Sequence, residues 1–128
     1  MNLLLDTHVA LWAIADSPRL PRRARDMISA ADSQVWVSVA SLWEIAIKRA
    51  VRPSHMPVGA DEALGYFRQS GYRILAVEAQ HVLALEGLPP LHADPFDRLL
   101  LAQAVSEPLR LITADEHIAR YGDMAMRV

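Results

Sequence analysis

Val35-Trp36-Val37-Ser38-Val39-Ala40-Ser41-Leu42-Trp43-Glu44-Ile45-Ala46-Ile47-Lys48-Arg49 is the stretch whose reading decides the fold. It opens on three β-formers, Val35-Trp36-Val37, which read as a strand. Ser38 follows with the side chain of a helix N-cap, able to accept a backbone N–H from the first turn, and predicts a helix from Val39 to about Arg49. Outward on the N-terminal side, Leu3-Leu4-Leu5 reads as a short buried strand and Thr7 to Ala15 as a helix. Pro18 and Pro21 punctuate the connection to a second helix near Arg22 to Ala30. On the C-terminal side, Val51 to Gly59, with Pro53 and Pro57, reads as a loop. A helix from about Ala60 to Ser70 ends at Gly71 as its C-cap. Arg73-Ile74-Leu75-Ala76-Val77 is a third strand and Ala79 to Glu86 a helix, before Gly87-Leu88-Pro89-Pro90 breaks the chain. Pro95 to Val105 reads as helix, Leu109 to Thr113 as strand and Asp115 to Ala119 as a short helix. The tail near Met124 to Arg127 adds an edge strand. Strands alternating with helices imply βαβ units, hence an α/β fold with a parallel sheet covered by helices.

A chain of 128 residues fits one domain, spanning 1–128, and neither repeats nor a linker divide it. There is no cysteine, which excludes disulfides, thiolate metal sites and cysteine nucleophiles. The opening Met1-Asn2-Leu3-Leu4-Leu5-Asp6 lacks the basic region and long apolar core of a signal peptide. No apolar run reaches the ~18 residues that span a bilayer. The expectation is a cytoplasmic protein with no membrane contact. The net charge of -2 gives no global field that draws in nucleic acid. Twelve of the thirteen basic residues are arginine, and Lys48 is the only lysine. Basic clusters at Arg19, Arg22, Arg23, Arg25 and at Lys48, Arg49, Arg52 have solvated helix faces as their plain explanation. Hydrophobic residues make up 52 %, an excess compatible with a partner-facing surface.

Four carboxylates sit where chemistry is done. Asp6 directly follows the first strand, and Asp115 lies just past the Leu111-Ile112 strand, after Thr113. In open parallel sheets ligands bind outside the C-terminal strand ends, so both point to one rim. Glu44 and Asp97 lie early in helices, and the helix of Glu44 leaves a strand end on that same rim. Each acid has an ordinary alternative. Asp6 and Asp115 are good N-caps, Ser41-x-x-Glu44 matches a capping box, and Asp94-Pro95-Phe96-Asp97 is a good helix start with Asp94 as cap. Glu44 weighs against the ordinary reading, because its helix is apolar nearly all round and predicts a buried carboxylate. Such a group needs a cation, a proton or several donors. Lys48, four residues on, is the local candidate for a plain helical ion pair. Carboxylates converging on one rim repel one another unless a cation binds, and an oxygen-only donor set favours Mg²⁺ or Mn²⁺ over zinc. A metal there activates water and steadies phosphoryl charge, so the implied chemistry is phosphate-ester hydrolysis. Spacing alone leaves nuclease and phosphatase open.

Leu5-Asp6-Thr7-His8, Ser41-Leu42-Trp43-Glu44-Ile45, His92-Ala93-Asp94-Pro95-Phe96-Asp97-Arg98 and Thr113-Ala114-Asp115, in that order across essentially the whole chain, resemble the PIN domain, and most of all VapC-type toxins. Asp-Pro-Phe-Asp-Arg is the most specific of the four blocks. The resemblance implies a three-layer α/β/α fold with a central parallel sheet and Mg²⁺- or Mn²⁺-dependent endoribonuclease activity. It makes Asp6, Glu44 and Asp97 the main acids, with Asp115 completing the pocket directly or through water. Thr113 would hydrogen-bond within the site, and Arg98 would contact phosphate or pair with an acid. It implies a homodimer and a VapB-type antitoxin partner that blocks the acidic groove and carries the DNA-binding domain, so that DNA is met only through it. RNA is the implied substrate.

Other residues have plainer roles. His8 and His92 are candidate ligands or general acids, with packing and capping as the simpler explanations. Trp12, Trp36 and Trp43 are candidate base-stacking groups, and the apolar settings of Trp36 and Trp43 predict core packing instead. Three rivals remain. A phosphatase of the haloacid-dehalogenase type expects a second Asp two residues after the first, where His8 stands. The others are a silent binding module in which the acids only cap helices, and a PIN nuclease of RNA processing outside toxin–antitoxin systems.

Overall fold

Leu3, Leu4 and Leu5 are all fully buried, and the alternation of a strand sends them to opposite faces of the sheet. Leu3 and Leu5 enter one hydrophobic core with Val35, Val37, Phe67 and Ile112, whereas Leu4 enters a second with Leu100, Leu101, Leu111 and Ile118. A strand buried on both faces belongs at the centre of a covered parallel sheet.

The computed structural model describes residues 1–90 and 94–128. Its strands are β1 (Asn2–Leu5), β2 (Gln34–Ser38), β3 (Arg73–Leu75), β4 (Arg110–Thr113) and β5 (Ala125–Arg127). The helices are α1 (Thr7–Ile14), α2 (Arg22–Ser29), α3 (Val39–Val51), α4 (Ala60–Gln69), α5 (Ala79–Leu85), α6 (Pro95–Ser106) and α7 (Glu116–Ala119). All strand pairs are parallel, in the order β3-β2-β1-β4-β5. Helices α1, α2 and α4 cover one face, and α6 with α7 covers the other. The chain builds outward from β1 to β3, then returns to place β4 on the other side of β1. The gap between β1 and β4 is thus the point where the strand order reverses, and crevices open there at the C-terminal strand ends.

The sequence-based elements form with two main adjustments. Helix α3 runs to Val51 and not to Arg49, so the loop starts at Arg52 and contains a short 3-10 turn at Pro53–His55. Strand β3 stops at Leu75, two residues early, because the Ala76 carbonyl turns to accept a hydrogen bond from Gln103 Nε2 at 3.2 Å. The tail pairs as an edge strand, and the Val128 N–H donates to the Thr113 carbonyl at 2.8 Å. Gly71 ends α4 with φ +82, a left-handed turn that favours glycine, while the Tyr72 N–H reaches back to the Phe67 carbonyl.

Helix α3 departs from the expectation of a helix buried all round. Ala40, Ser41, Glu44 and Ile45 are buried, but Val39, Trp43, Ile47 and Val51 form an exposed stripe at helical spacing. Trp43 is therefore not a core residue: it is 55 % exposed and meets Phe96 edge-on, with centroids 4.9 Å apart. Trp36 does pack against the second core, and its ring also carries the Arg73 guanidinium at 5.5 Å.

Candidate active site

Asp6 stands where β1 turns into α1, and the two jobs of an N-cap fix it there. Its own N–H donates to the Ile112 carbonyl of β4 at 3.0 Å, and its Oδ1 accepts the Val9 N–H at 2.8 Å. The carboxylate is 4 % exposed. Burial raises its pKa above the usual carboxylate value. The Thr113 hydroxyl, the Val9 N–H and the charge of His8 pull the other way, and the nearby charge of Glu44 raises it further. Thr113, the last residue of β4, is fully buried and links two acids. Its hydroxyl bonds Asp6, and its Oγ1 accepts the Asp115 N–H at 3.0 Å. The expected role for Thr113, holding the site by hydrogen bonds, matches this geometry. Asp115 caps α7 by accepting the His117 N–H at 2.8 Å, and its Oδ1 also lies 3.1 Å from His117 Nδ1.

Glu44 reaches the same place from the other side. Ser38 caps α3, its Oγ accepting the Ala40 N–H at 2.9 Å, so the Ser41-x-x-Glu44 capping box does not form. That registers Glu44 one turn in, on the buried face, at 3 % exposure. Its Oε1 accepts from the Thr7 hydroxyl at 2.6 Å, and Thr7 Oγ1 lies 2.9 Å from Ser41 Oγ. Its Oε2 meets Lys48 Nζ at 2.5 Å. The plain ion pair weighed from sequence is thus present. Partial desolvation lowers the Lys48 pKa, but the hydrogen bond and charge of Glu44, with Asp94 and Asp97 adding attraction, carry it above the usual lysine value.

Asp97 sits in the first turn of α6, half-buried, on the side that Lys48 faces. Its N–H, with that of Phe96, donates to the Asp94 carboxylate at 3.2 and 2.9 Å, which makes Asp94 the expected cap before Pro95. Arg98 turns away from the acids: its Nη2 donates to the Leu85 carbonyl at 3.4 Å, and its buried Nε has no partner among the described residues. It braces α5 against α6, and among the described residues it makes no ion pair with an acid of the site. His8 is exposed and acts on Asp6 by charge, and its ring centroid is 6.1 Å from that of Trp12. His92 lies outside the described residues.

The sheet therefore gathers Asp6, Thr113 and Asp115 at its reversal point, and α3 and α6 bring Glu44 and Asp97 toward them through Thr7 and Lys48. Among the described residues no three His, Asp or Glu side chains stand together as a ready metal cage. The donor chemistry nevertheless fits a hard divalent cation: two buried carboxylates, Asp6 and Glu44, act on one another by charge, with the Thr7, Ser41 and Thr113 hydroxyls beside them. From the sequence Thr7 is no candidate site residue and Ser41 is only part of a capping box. Their signal was faint, a hydroxyl beside each carboxylate position, and the partner of Thr7 lies 37 residues away.

Comparison with known proteins supplies the family. Residues 3–124 match the model of the PIN domain. Ribonuclease VapC22 of Mycobacterium tuberculosis is 30 % identical over 122 residues, covering 91 % of this chain and 89 % of that one. Among solved structures, VapBC2 from Rickettsia felis, bound to a DNA fragment from its promoter, superposes with a TM-score of 0.72 at 17 % identity, covering 99 % of this chain and 98 % of that chain. VapC20 of Mycobacterium tuberculosis, a toxin that cleaves the sarcin–ricin loop, gives 0.66 at 18 % identity over 98 % of this chain and 99 % of that one. At those identities the structural likeness speaks for the fold.

Proposed function

The chain belongs to the PIN-domain family, and on that premise we propose that it is the toxin of a type II toxin–antitoxin pair, an endoribonuclease that hydrolyses RNA at a carboxylate-bound Mg²⁺ or Mn²⁺. The observation that carries this reading is the buried Asp6–Thr113 pair at the reversal point of the sheet, faced by buried Glu44. The relative at 30 % identity is named a ribonuclease. Asp6 and Asp97 are the residues that would hold the metal, with Asp115 reaching it directly or through water. The metal, when bound, supplies charge for the phosphate and lowers the pKa of a water. Thr113 keeps Asp6 oriented and Thr7 keeps Glu44 oriented. Glu44 would position the metal or take the proton of the attacking water at Oε2, the oxygen that Lys48 now holds. In-line attack by that water, with the 3′-oxygen leaving, gives a 5′-phosphate and a 3′-hydroxyl. No side-chain nucleophile is needed.

The Lys48–Glu44 pair favours a second reading, a silent module in which the acids only cap helices and pair. Incubating the purified chain with RNA in Mn²⁺ and in EDTA separates the two. The nuclease reading expects 5′-phosphate fragments in Mn²⁺ alone. The silent module expects none in either, across a set that includes ribosomal and transfer RNA.

A VapB-type antitoxin, a homodimer, cytoplasmic location and contact with DNA only through the antitoxin belong to the same reading. Several structural neighbours are toxin–antitoxin complexes, and no helix among the described residues is long and apolar enough to cross a membrane. Val39, Trp43, Ile47 and Val51 offer apolar surface beside the acids, since Trp43 touches Phe96, next to Asp97. A segment laid over Trp43 would cover the acidic rim. Trp43→Glu is therefore expected to weaken capture of the antitoxin by about tenfold or more, because buried aromatic anchors dominate such interfaces. Pull-down with the product of the neighbouring gene checks this, and undiminished capture places the antitoxin elsewhere.

A further inference from the structure

The only lysine in the chain stands at the acidic rim. Both Glu44 oxygens are engaged, Oε1 by the Thr7 hydroxyl and Oε2 by Lys48, and the carboxylate is nearly sealed from water while the Lys48 side chain is 44 % exposed. Asp94 and Asp97, at the start of α6, add their attraction to the same ammonium. Helix α3 packs on α6, and the Trp43–Phe96 contact fixes one against the other close to this point. Buried Glu44 cannot turn to solvent, whereas a lysine on a flexible four-carbon stem swings out at little cost.

Resting on the reading of this rim as a metal site, we propose that Lys48 is a built-in counter-cation: its ammonium holds Glu44 in the metal-free chain and competes with divalent metal for that carboxylate. Without it, buried Glu44 would keep the Thr7 hydroxyl but lose its ion pair, in a site that must stay folded before metal arrives. With metal bound, the ammonium is released toward solvent and the mouth of the site, where it meets the incoming phosphate backbone. Metal occupancy and the Lys48–Glu44 pair exclude one another, so the lysine sets the metal concentration at which the site fills.

Calorimetric titration of Mn²⁺ into the metal-free full chain tests this without any measurement of cleavage. Lys48→Met is expected to bind Mn²⁺ about tenfold more tightly than wild type, the size of effect that one charged hydrogen bond to a buried carboxylate supports, and to show a larger rise in melting temperature on Mn²⁺ addition. Lys48→Arg keeps the charge and stays near wild-type affinity. Lys48→Gln, more soluble, serves if the Met variant precipitates and follows the same expectation. Unchanged or weaker Mn²⁺ binding in Met and Gln variants, with wild type still binding, overturns the competition and leaves the metal site standing. No Mn²⁺ uptake by wild type or any variant overturns both the metal site and the role of Lys48.

Discussion

Asp97→Asn is expected to lower Mn²⁺-dependent RNA cleavage on the order of 10³-fold while leaving the fold intact, because on the proposed reading it removes a charged metal ligand while the Asp94 cap of α6 stays in place. The start of α6 is held by Asp94, whose carboxylate takes the Phe96 and Asp97 N–H groups, so the helix does not need a charge at position 97. Losing an acid from the first turn costs a few tenths of a kcal/mol against the helix dipole. Initial cleavage rates and melting temperatures, measured side by side on wild type and variant, check both halves. Equal rates would remove Asp97 from the site, and a collapsed melting curve would make its role structural.

Asp6→Asn is expected to abolish metal uptake and, in the metal-free state, to make the protein more stable. The Asp6 carboxyl titrates above its ordinary value of 3.8 in the folded chain, chiefly because it is buried. Between the unfolded and the folded pKa the folded protein holds a proton that the unfolded chain has released. Stability therefore falls as pH rises across that window, and the full cost is present above the folded pKa. Asparagine carries no charge, caps helices as well as aspartate, and can still accept from the Val9 N–H and the Thr113 hydroxyl. A gain on the order of 1 kcal/mol, a few degrees in melting temperature, is the usual size when a functional group is traded for stability. Melts of the metal-free proteins test the sign: the advantage of the variant should grow as pH rises from 3.8 and shrink as pH falls toward it. A less stable variant at neutral pH would mean that the charge itself holds the site together.

What was legible in the sequence is what local chemistry decides. Ser38, Asp6, Asp94 and Asp115 are all N-caps in the structure, and each was readable from a short oxygen-bearing side chain ahead of a helical stretch. The same caps place Asp6 and Asp115 on one rim, so the strand–helix order carried most of the site with it. What escaped depends on partners far along the chain. Strand β3 is cut short by Gln103, 27 residues away, and Glu44 is oriented by Thr7, 37 residues away. Arg98 reaches the Leu85 carbonyl because α5 docks on its side of α6. Trp43 was the clearest miss. An apolar helix reads as buried when nothing in its pattern tells a core from a face left for another molecule, and both are written in the same residues.

On the proposed reading, RNA is cut only while the acid at the end of β1 is present. Wild type and Asp6→Asn, induced separately in bacterial cells at matched soluble levels, can be compared by mapping new 5′-phosphate RNA ends across the transcriptome. New ends at a few discrete sites in the wild type alone are the predicted result. The same ends appearing with Asp6→Asn would contradict the proposed site, and no new ends with either protein, in the original host as in a surrogate, would contradict the nuclease reading itself.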